Sequence, residues 1–531
     1  MLYPIELRAR ACEVRLAGSI LLKTTAFLHQ PPVREADRRN VISNAAQAER
    51  RWTIAAGSAL FALVLVAVVV PAARPAGLLR DFDAFYCAGQ TLNAGADPYR
   101  AEPLGRCERA PKPAPLLSGE AGLAMPAPLP PYALAPFTVL ARLPYDVAAI
   151  LWSLVLAAAV AVAAVSLRQL TGLPLATLGF ALLLGDGYAS LALGQIAPLA
   201  VAGVALAAWL LAGGRDELAA CAAGLTLLEP HVGVPVCASL FFWRARTRLP
   251  LLLIVAACAA ASVAIAGAAT SLEYVRDVLP AHALSEVANE KQLSLTYALR
   301  RLHAPSELAL RAGEIWYALA ALAAVWAAGR IAPRAGGGAL AAIPAALAVF
   351  GGPFVHISQI AAALPAALLF FARTETGRRR VLGAAIVALS IPWIQFANLG
   401  PIFVALAALV AVYLTRQLID ERPALAFVAG SLTVLFISAA TALVTSVPDV
   451  GPALAAHYDP RALAEASWAR YVGMIGEANA TAFDFAKLPT IAALCAVAWV
   501  TLVAALRPMK TSPVQNLAPG GNGATVSRRI A

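Results

Sequence analysis

Charge is what this chain has least of. Asp, Glu, Lys and Arg make up 13% of its 531 residues, whereas a soluble domain carries about 25%. With 60% hydrophobic residues and a mean hydropathy of +0.73, a fold that buries its apolar surface in water is excluded. Several chemistries lack their motifs as well: there is no Walker loop, no metal-ligand histidine cluster and no dinucleotide glycine fingerprint. The residues therefore give no basis for a metal or a cofactor, and the energy for any reaction must arrive with an activated substrate. A secretory signal is missing too. Residues 1–51 are basic and largely polar, with Arg34, Arg38, Arg39, Arg50 and Arg51, where a cleavable signal would place a short apolar core. The expectation is an uncleaved first span and a cytoplasmic N-terminus.

Long apolar runs are what the chain has instead. They fall near residues 52–72, 145–167, 174–190, 192–212, 249–269, 310–329, 336–352, 355–372, 381–396, 399–415, 424–444 and 488–506. Many reach the roughly 20 residues that cross a bilayer as a helix. The net charge of +11 is held in short basic clusters between these runs, which marks cytoplasmic loops rather than a nucleic-acid surface. Arg168, Arg215, "RARTR" (244–248), "GRIAPR" (329–334), "GRRR" (377–380) and "RPMK" (507–510) all fall inside when sides alternate. The pattern predicts an all-α polytopic membrane protein of about 12 spans. Residues 1–51 form its cytoplasmic basic segment, 52–506 its membrane domain and 507–531 a disordered cytoplasmic tail. One stretch, 218–243, has basic residues on both flanks and is broken by Glu229-Pro230, since proline loses a helix hydrogen bond. It reads as a hairpin entering and leaving on the cytoplasmic side, with a single broken span as the alternative. The large outer segments are then 73–144, 270–309 and 445–487.

Polar residues cluster just after the first run, in "LLRDFDAFYCAGQTLNAGADPYR" (78–100). Asp81 and Asp83 stand two apart, so on a helix they point in different directions and cannot share a proton. One can act while the other is solvated or paired. Cys87 and Cys107 share this loop, where a disulfide or two free thiols are both open readings.

The order "DFDAFYCAG" then "GADPY" resembles the first outer loop of glycosyltransferase family 87, enzymes of the GT-C fold that use polyprenyl-phosphate sugars. The matching positions are Asp81, Phe82, Phe85, Tyr86, Ala88, Gly95, Pro98 and Tyr99. Further pieces follow in the family's order: "PLPPYALAPFTVLARLPYDVAAILW" (128–152), "LALGQIAPL" (191–199), "AGLTLLEPH" (223–231), "QLSLTYALRRL" (292–302) and "GGPFVHISQIAAALP" (351–365). The resemblance spans about residues 50 to 375.

The resemblance implies a hexosyltransferase, mannose-type, with its active site on the outer face of the plasma (inner) membrane, roofed by an outer loop with amphipathic helices. Its partners would be a polyprenyl-phosphate-sugar donor, a glycolipid or glycan acceptor and the bilayer, with no nucleic acid. Asp81 is expected as the general base, and transfer would invert the anomeric centre. His356, at an expected outer helix start, together with Arg300, Arg301 and Lys291, is expected to meet the donor phosphate or sugar. Asp83, Tyr86, Gln195 and Tyr99 are expected in the substrate pocket, with Asp186 beside the Gln195 turn. Two positions depart from the family pattern: Glu229 replaces a frequent Lys, and Gln359 replaces a frequent acid. Glu229 and His231, placed on the cytoplasmic side, are expected to take no part. The rival class is a transporter or flippase, which would carry ionisable groups at mid-membrane in repeated halves.

Overall fold

The computed structural model describes residue 51 and residues 79–110, 122–184, 186–374, 376–420, 422–444, 450–476 and 480–507. From residue 79 onward every described element belongs to one unit, Leu60–Ala531. Of the described residues 82% are helical and none lies in a strand, as a membrane interior requires of a chain that must satisfy its own backbone. Among the described residues five helical stretches are long and apolar enough to cross a bilayer: Tyr145–Thr171, Ala245–Glu286, Ser306–Ala335, Pro401–Ile419 and Phe483–Leu506. Shorter apolar helices such as Ala197–Ala212, Pro230–Trp243 and Ala339–Gly351 pack among them. The expected first span, 52–72, lies outside the described residues, as do nearly all of residues 1–51 and the tail beyond 507.

Several expected runs are broken where their sequence dictates. The 174–190 run divides into Leu175–Leu183 and Asp186–Leu193, and the 381–396 run stops at Ser390 and restarts after Pro392 as Trp393–Asn398. The 218–243 segment consists of Asp216–Gly224, a 3-10 turn Leu225–Leu228, and Pro230–Trp243. Its two limbs fold back on each other. Cys237 Sγ lies 3.6 Å from the Ala223 carbonyl oxygen, where a straight helix would separate these residues by about 21 Å. Gly233 allows the closure, because a Cβ there would stand 2.4 Å from the Thr226 carbonyl oxygen.

Several basic clusters converge. The Gly336–Gly338 turn lies against the Leu211 carbonyl, Leu170, the Arg244 guanidinium and that of Arg373. Helices Tyr145–Thr171, Ala197–Ala212, Pro230–Trp243 and Leu364–Arg373 thus end together, with Arg168, Arg215 and "RARTR" beside them. The tip of the 218–243 hairpin points away from these ends and meets a different set of residues.

Candidate active site

Asp81 lies in the first turn of helix Arg80–Asn93. An aromatic cluster sets that helix: Phe82, fully buried, packs on Tyr86, Phe137, Tyr145 and Trp152 with ring centres 5.7–6.3 Å apart. The turn at 190–195 fixes where the helix begins, since the Leu79 N–H donates to the Ala192 carbonyl at 2.6 Å. Gly194 is required there. Its φ is +71°, and a Cβ would stand 2.6 Å from Phe82 Cβ, while its carbonyl accepts from Trp152 Nε1 at 2.8 Å. The next residue, Gln195, donates its amide Nε2 to Asp81 Oδ2. Arg80 Nε stands 3.4 Å from Asp81 Oδ1, and the aspartate side chain keeps 12% of its surface open.

Asp83 points elsewhere, as the helix geometry demands. It is 3% exposed, with Oδ1 3.9 Å from Cys87 Sγ. Cys87 and Cys107 are joined by a disulfide, Cα atoms 5.6 Å apart, which ties this helix to Ala101–Arg109. The Tyr86 hydroxyl donates to the Leu143 carbonyl and the Tyr99 hydroxyl to the Leu129 carbonyl, each at 2.8 Å. Burial raises the pKa of both phenols above the usual tyrosine value. Both hydroxyls are thus occupied by main chain, and these expected pocket residues brace the scaffold that carries Asp81.

A second carboxylate, unforeseen from the sequence, stands close by. Glu286, at the end of helix Leu279–Glu286, has a side chain only 1% exposed. Its Oε1 accepts from Trp468 Nε1 at 2.6 Å, and its Oε2 from Asn289 Nδ2 at 2.7 Å and Gln292 Nε2 at 2.9 Å. His356 Nε2 is 3.5 Å from Oε2. The Gln292 amide nitrogen also lies 3.1 Å from His356 Nε2, while its Oε1 accepts the Val355 N–H at 2.5 Å. The Arg80 guanidinium lies 5.8 Å from the centre of the Trp468 ring, so Asp81 and His356 are connected through Arg80, Trp468 and Glu286. Lys291 belongs to the same region. Burial, and then the charge of Arg80, hold its amine below the ordinary lysine pKa, while Glu290 and Glu286 oppose them.

Residues 129–351 match glycosyltransferase family 87. The match indicates a membrane glycosyltransferase. No curated protein and no solved structure matches the chain. Gln195, Lys291, Arg300 and Arg301 fall within the matched residues; Asp81, Asp83, Tyr86 and Tyr99 precede them and His356 follows them.

Three expectations meet different outcomes. First, His356 stands at a helix start as expected: it caps the helical run Ile357–Arg373, which includes a 3-10 turn at Ala361–Ala363, and its N–H is taken by Gln359 Oε1 at 3.0 Å. Second, Glu229 and His231 are not remote from His356. At the hairpin tip Glu229 Oε2 accepts from Gln359 Nε2 at 3.1 Å and lies 3.6 Å from His231 Nδ1. Glu229 and Gln359, both expected to depart from the family-87 pattern, are therefore partners. The hairpin limbs are long enough to carry this tip away from the basic ends, which the one-sided placement overlooked. Third, Arg301 is held by Asp484, Nε to Oδ2 2.9 Å, with 45% of its side chain exposed. Arg300 is exposed beside it, and no contact ties either arginine to Asp81 or His356. The side chain of Asp186 lies outside the described residues.

Beside Ile357 is a small cleft lined by Leu293, Ile360, Trp393, Gln395, Lys487 and Thr490 among others. The Lys487 ammonium at its wall lies 3.5 Å from the centre of the Tyr297 ring and 3.6 Å from Asp484 Oδ1. The one sequence signal for the second carboxylate was the pair His282 and Glu286 in "HALSE", spaced i,i+4. Gln292 opens the family-like stretch "QLSLTYALRRL" but was given no role, and nothing in the sequence marked Trp468 or Lys487.

Proposed function

We propose that this chain moves a hexose, mannose-like, from a polyprenyl-phosphate-sugar donor to a glycolipid or glycan acceptor at the outer face of the plasma membrane, with inversion. The observation that carries the reading is the setting of Asp81. One carboxylate oxygen is held by Gln195, the other lies near Arg80, and part of the group remains open. A sugar hydroxyl is a poor nucleophile, and a carboxylate within hydrogen-bond reach takes its proton as the new bond forms. The hydroxyl oxygen attacks the anomeric carbon from the face opposite the phosphate. The carbon–oxygen bond to the lipid phosphate breaks, and the phosphate leaves with the electron pair. Arg80, Lys291 and His356 supply positive or donor groups for the charge that develops on it.

The test is transfer from radiolabelled polyprenyl-phosphate hexoses in membranes carrying wild type or Asp81→Asn. The variant is expected to lose about 10²–10⁴-fold in rate at unchanged protein level. Equal transfer by both removes Asp81 as the base.

A further inference from the structure

We propose that His282, Glu286 and His356 bind a divalent transition-metal ion of the zinc class. Each offers one ligand atom, and the three atoms lie within 4.8 Å of one another. His282 and Glu286 stand four apart on helix Leu279–Glu286, the spacing that puts two side chains on one face, and His356 comes from the segment facing them. The 3.5 Å between His356 Nε2 and Glu286 Oε2 is longer than a good hydrogen bond. It is close to the edge of a tetrahedron whose ligands lie about 2.1 Å from the metal, roughly 3.4 Å.

The surroundings are those of a prepared ligand set. A carboxylate has about four lone-pair positions. Trp468 takes one on Oε1, and Asn289 and Gln292 take both on Oε2. The open position is therefore on Oε1, and binding through Oε2, the oxygen 3.5 Å from His356 Nε2, requires one of those amides to give way. Donors of this kind orient a metal ligand and tune its basicity. An ion pair between Glu286 and His356 would explain those two residues alone and leave His282 without a role. His282 is 8% exposed, and its Nδ1 is buried with no hydrogen-bond partner, which costs about 1–3 kcal/mol for such a group. One ring nitrogen of His282 stands in the cluster with Glu286 and His356, where a metal would accept its lone pair.

The ligand chemistry selects the ion. Two imidazoles and one carboxylate suit zinc and its neighbours, whereas magnesium and calcium take oxygen ligands. Three protein ligands leave the fourth position open, as in zinc sites that meet a substrate. A phosphoryl oxygen of the donor would fit that position. This last step rests on the function proposed above; the binding of the ion does not.

The test uses full-length protein in detergent, stripped with a chelator and dialysed against Zn²⁺ alone, then analysed by elemental mass spectrometry. About one equivalent per chain is expected in wild type and in Asp81→Asn. His282→Ala is expected to bind at least about 100-fold more weakly, since losing only an outer partner of a ligand costs 10–100-fold. X-ray absorption of the wild-type zinc complex should show two imidazoles and no sulfur, and this reading stands even if His282→Ala does not fold. Wild type without stoichiometric zinc, zinc retained by a folded His282→Ala, or a sulfur-ligated ion would each overturn the proposal. Zinc bound while Asp81→Asn still transfers sugar would separate a correct metal site from a wrong base.

Discussion

Asp81 and Glu286 are joined through Arg80 and Trp468, yet they are held in opposite ways. Glu286 is sealed, with three donors on its two oxygens. Asp81 has Gln195 and a longer contact to Arg80, and 12% of its side chain is open. A carboxylate held by three donors is stabilised as an anion and is a poor proton acceptor. One with few partners and an open edge can take a proton from a bound hydroxyl. The difference assigns the two acids separate tasks: Asp81 for proton transfer, Glu286 for holding its neighbours, and the ion proposed above, in place.

The sharpest way to break that contrast is to remove each carboxylate and compare stability. Glu286→Ala leaves the indole N–H of Trp468 and the amides of Asn289 and Gln292 buried without their acceptor. Loss of one partner from such a buried network costs about 3–5 kcal/mol. A large drop in thermal midpoint is expected, measured by fluorescence of the protein in detergent. Asp81→Asn keeps the shape and the Gln195 contact and should stay within about 1 kcal/mol of wild type. Equal destabilisation by both would mean that Asp81 is structural as well.

The reach of the sequence reading follows the same line. The apolar runs and the break at Glu229-Pro230 were both legible, because each rests on local composition or a short ordered motif. Gln195 was legible only as part of a glycine-glutamine element, and its bond to Asp81 needed the fold. The Glu286 network was not legible. Its members lie on the 279–292 stretch, at 356 and at 468, and no local pattern joins residues that far apart. The contact of Glu229 with Gln359 was hidden for a related reason: charge clusters assign sides to the ends of a segment but say nothing of how far its middle reaches.

A smaller effect is expected from the turn that positions Asp81. Gly194→Ala places a Cβ 2.6 Å from Phe82 Cβ at a φ of +71°, a strain of about 1–3 kcal/mol. The helix start that carries Asp81 must shift to relieve it. Transfer is expected to fall about tenfold or more, mostly in kcat, since a displacement of about 1 Å at a reacting group costs up to 10²-fold. An unchanged kcat would show that Asp81 does not depend on this turn.

A third buried carboxylate extends the comparison to its end. Glu465, on helix Ala464–Gly476, is 2% exposed, and neither oxygen has a hydrogen-bond partner of good geometry. Burial, with Asp97 adding and Arg100 opposing, pushes its pKa up to about 8. Below about pH 4.5 the acid is protonated folded or unfolded and costs nothing. Between there and pH 8 the unfolded chain ionises while the folded one holds its proton, so stability falls as pH rises, and the loss levels off above pH 8. Glu465→Gln removes this slope. Its thermal midpoint should match wild type near pH 5 and exceed it by about 2 °C or more near pH 8, measured in detergent across that range. A difference that does not grow with pH would mean that Glu465 is ionised in the folded protein and has found a partner, placing it beside Glu286 rather than at the opposite extreme.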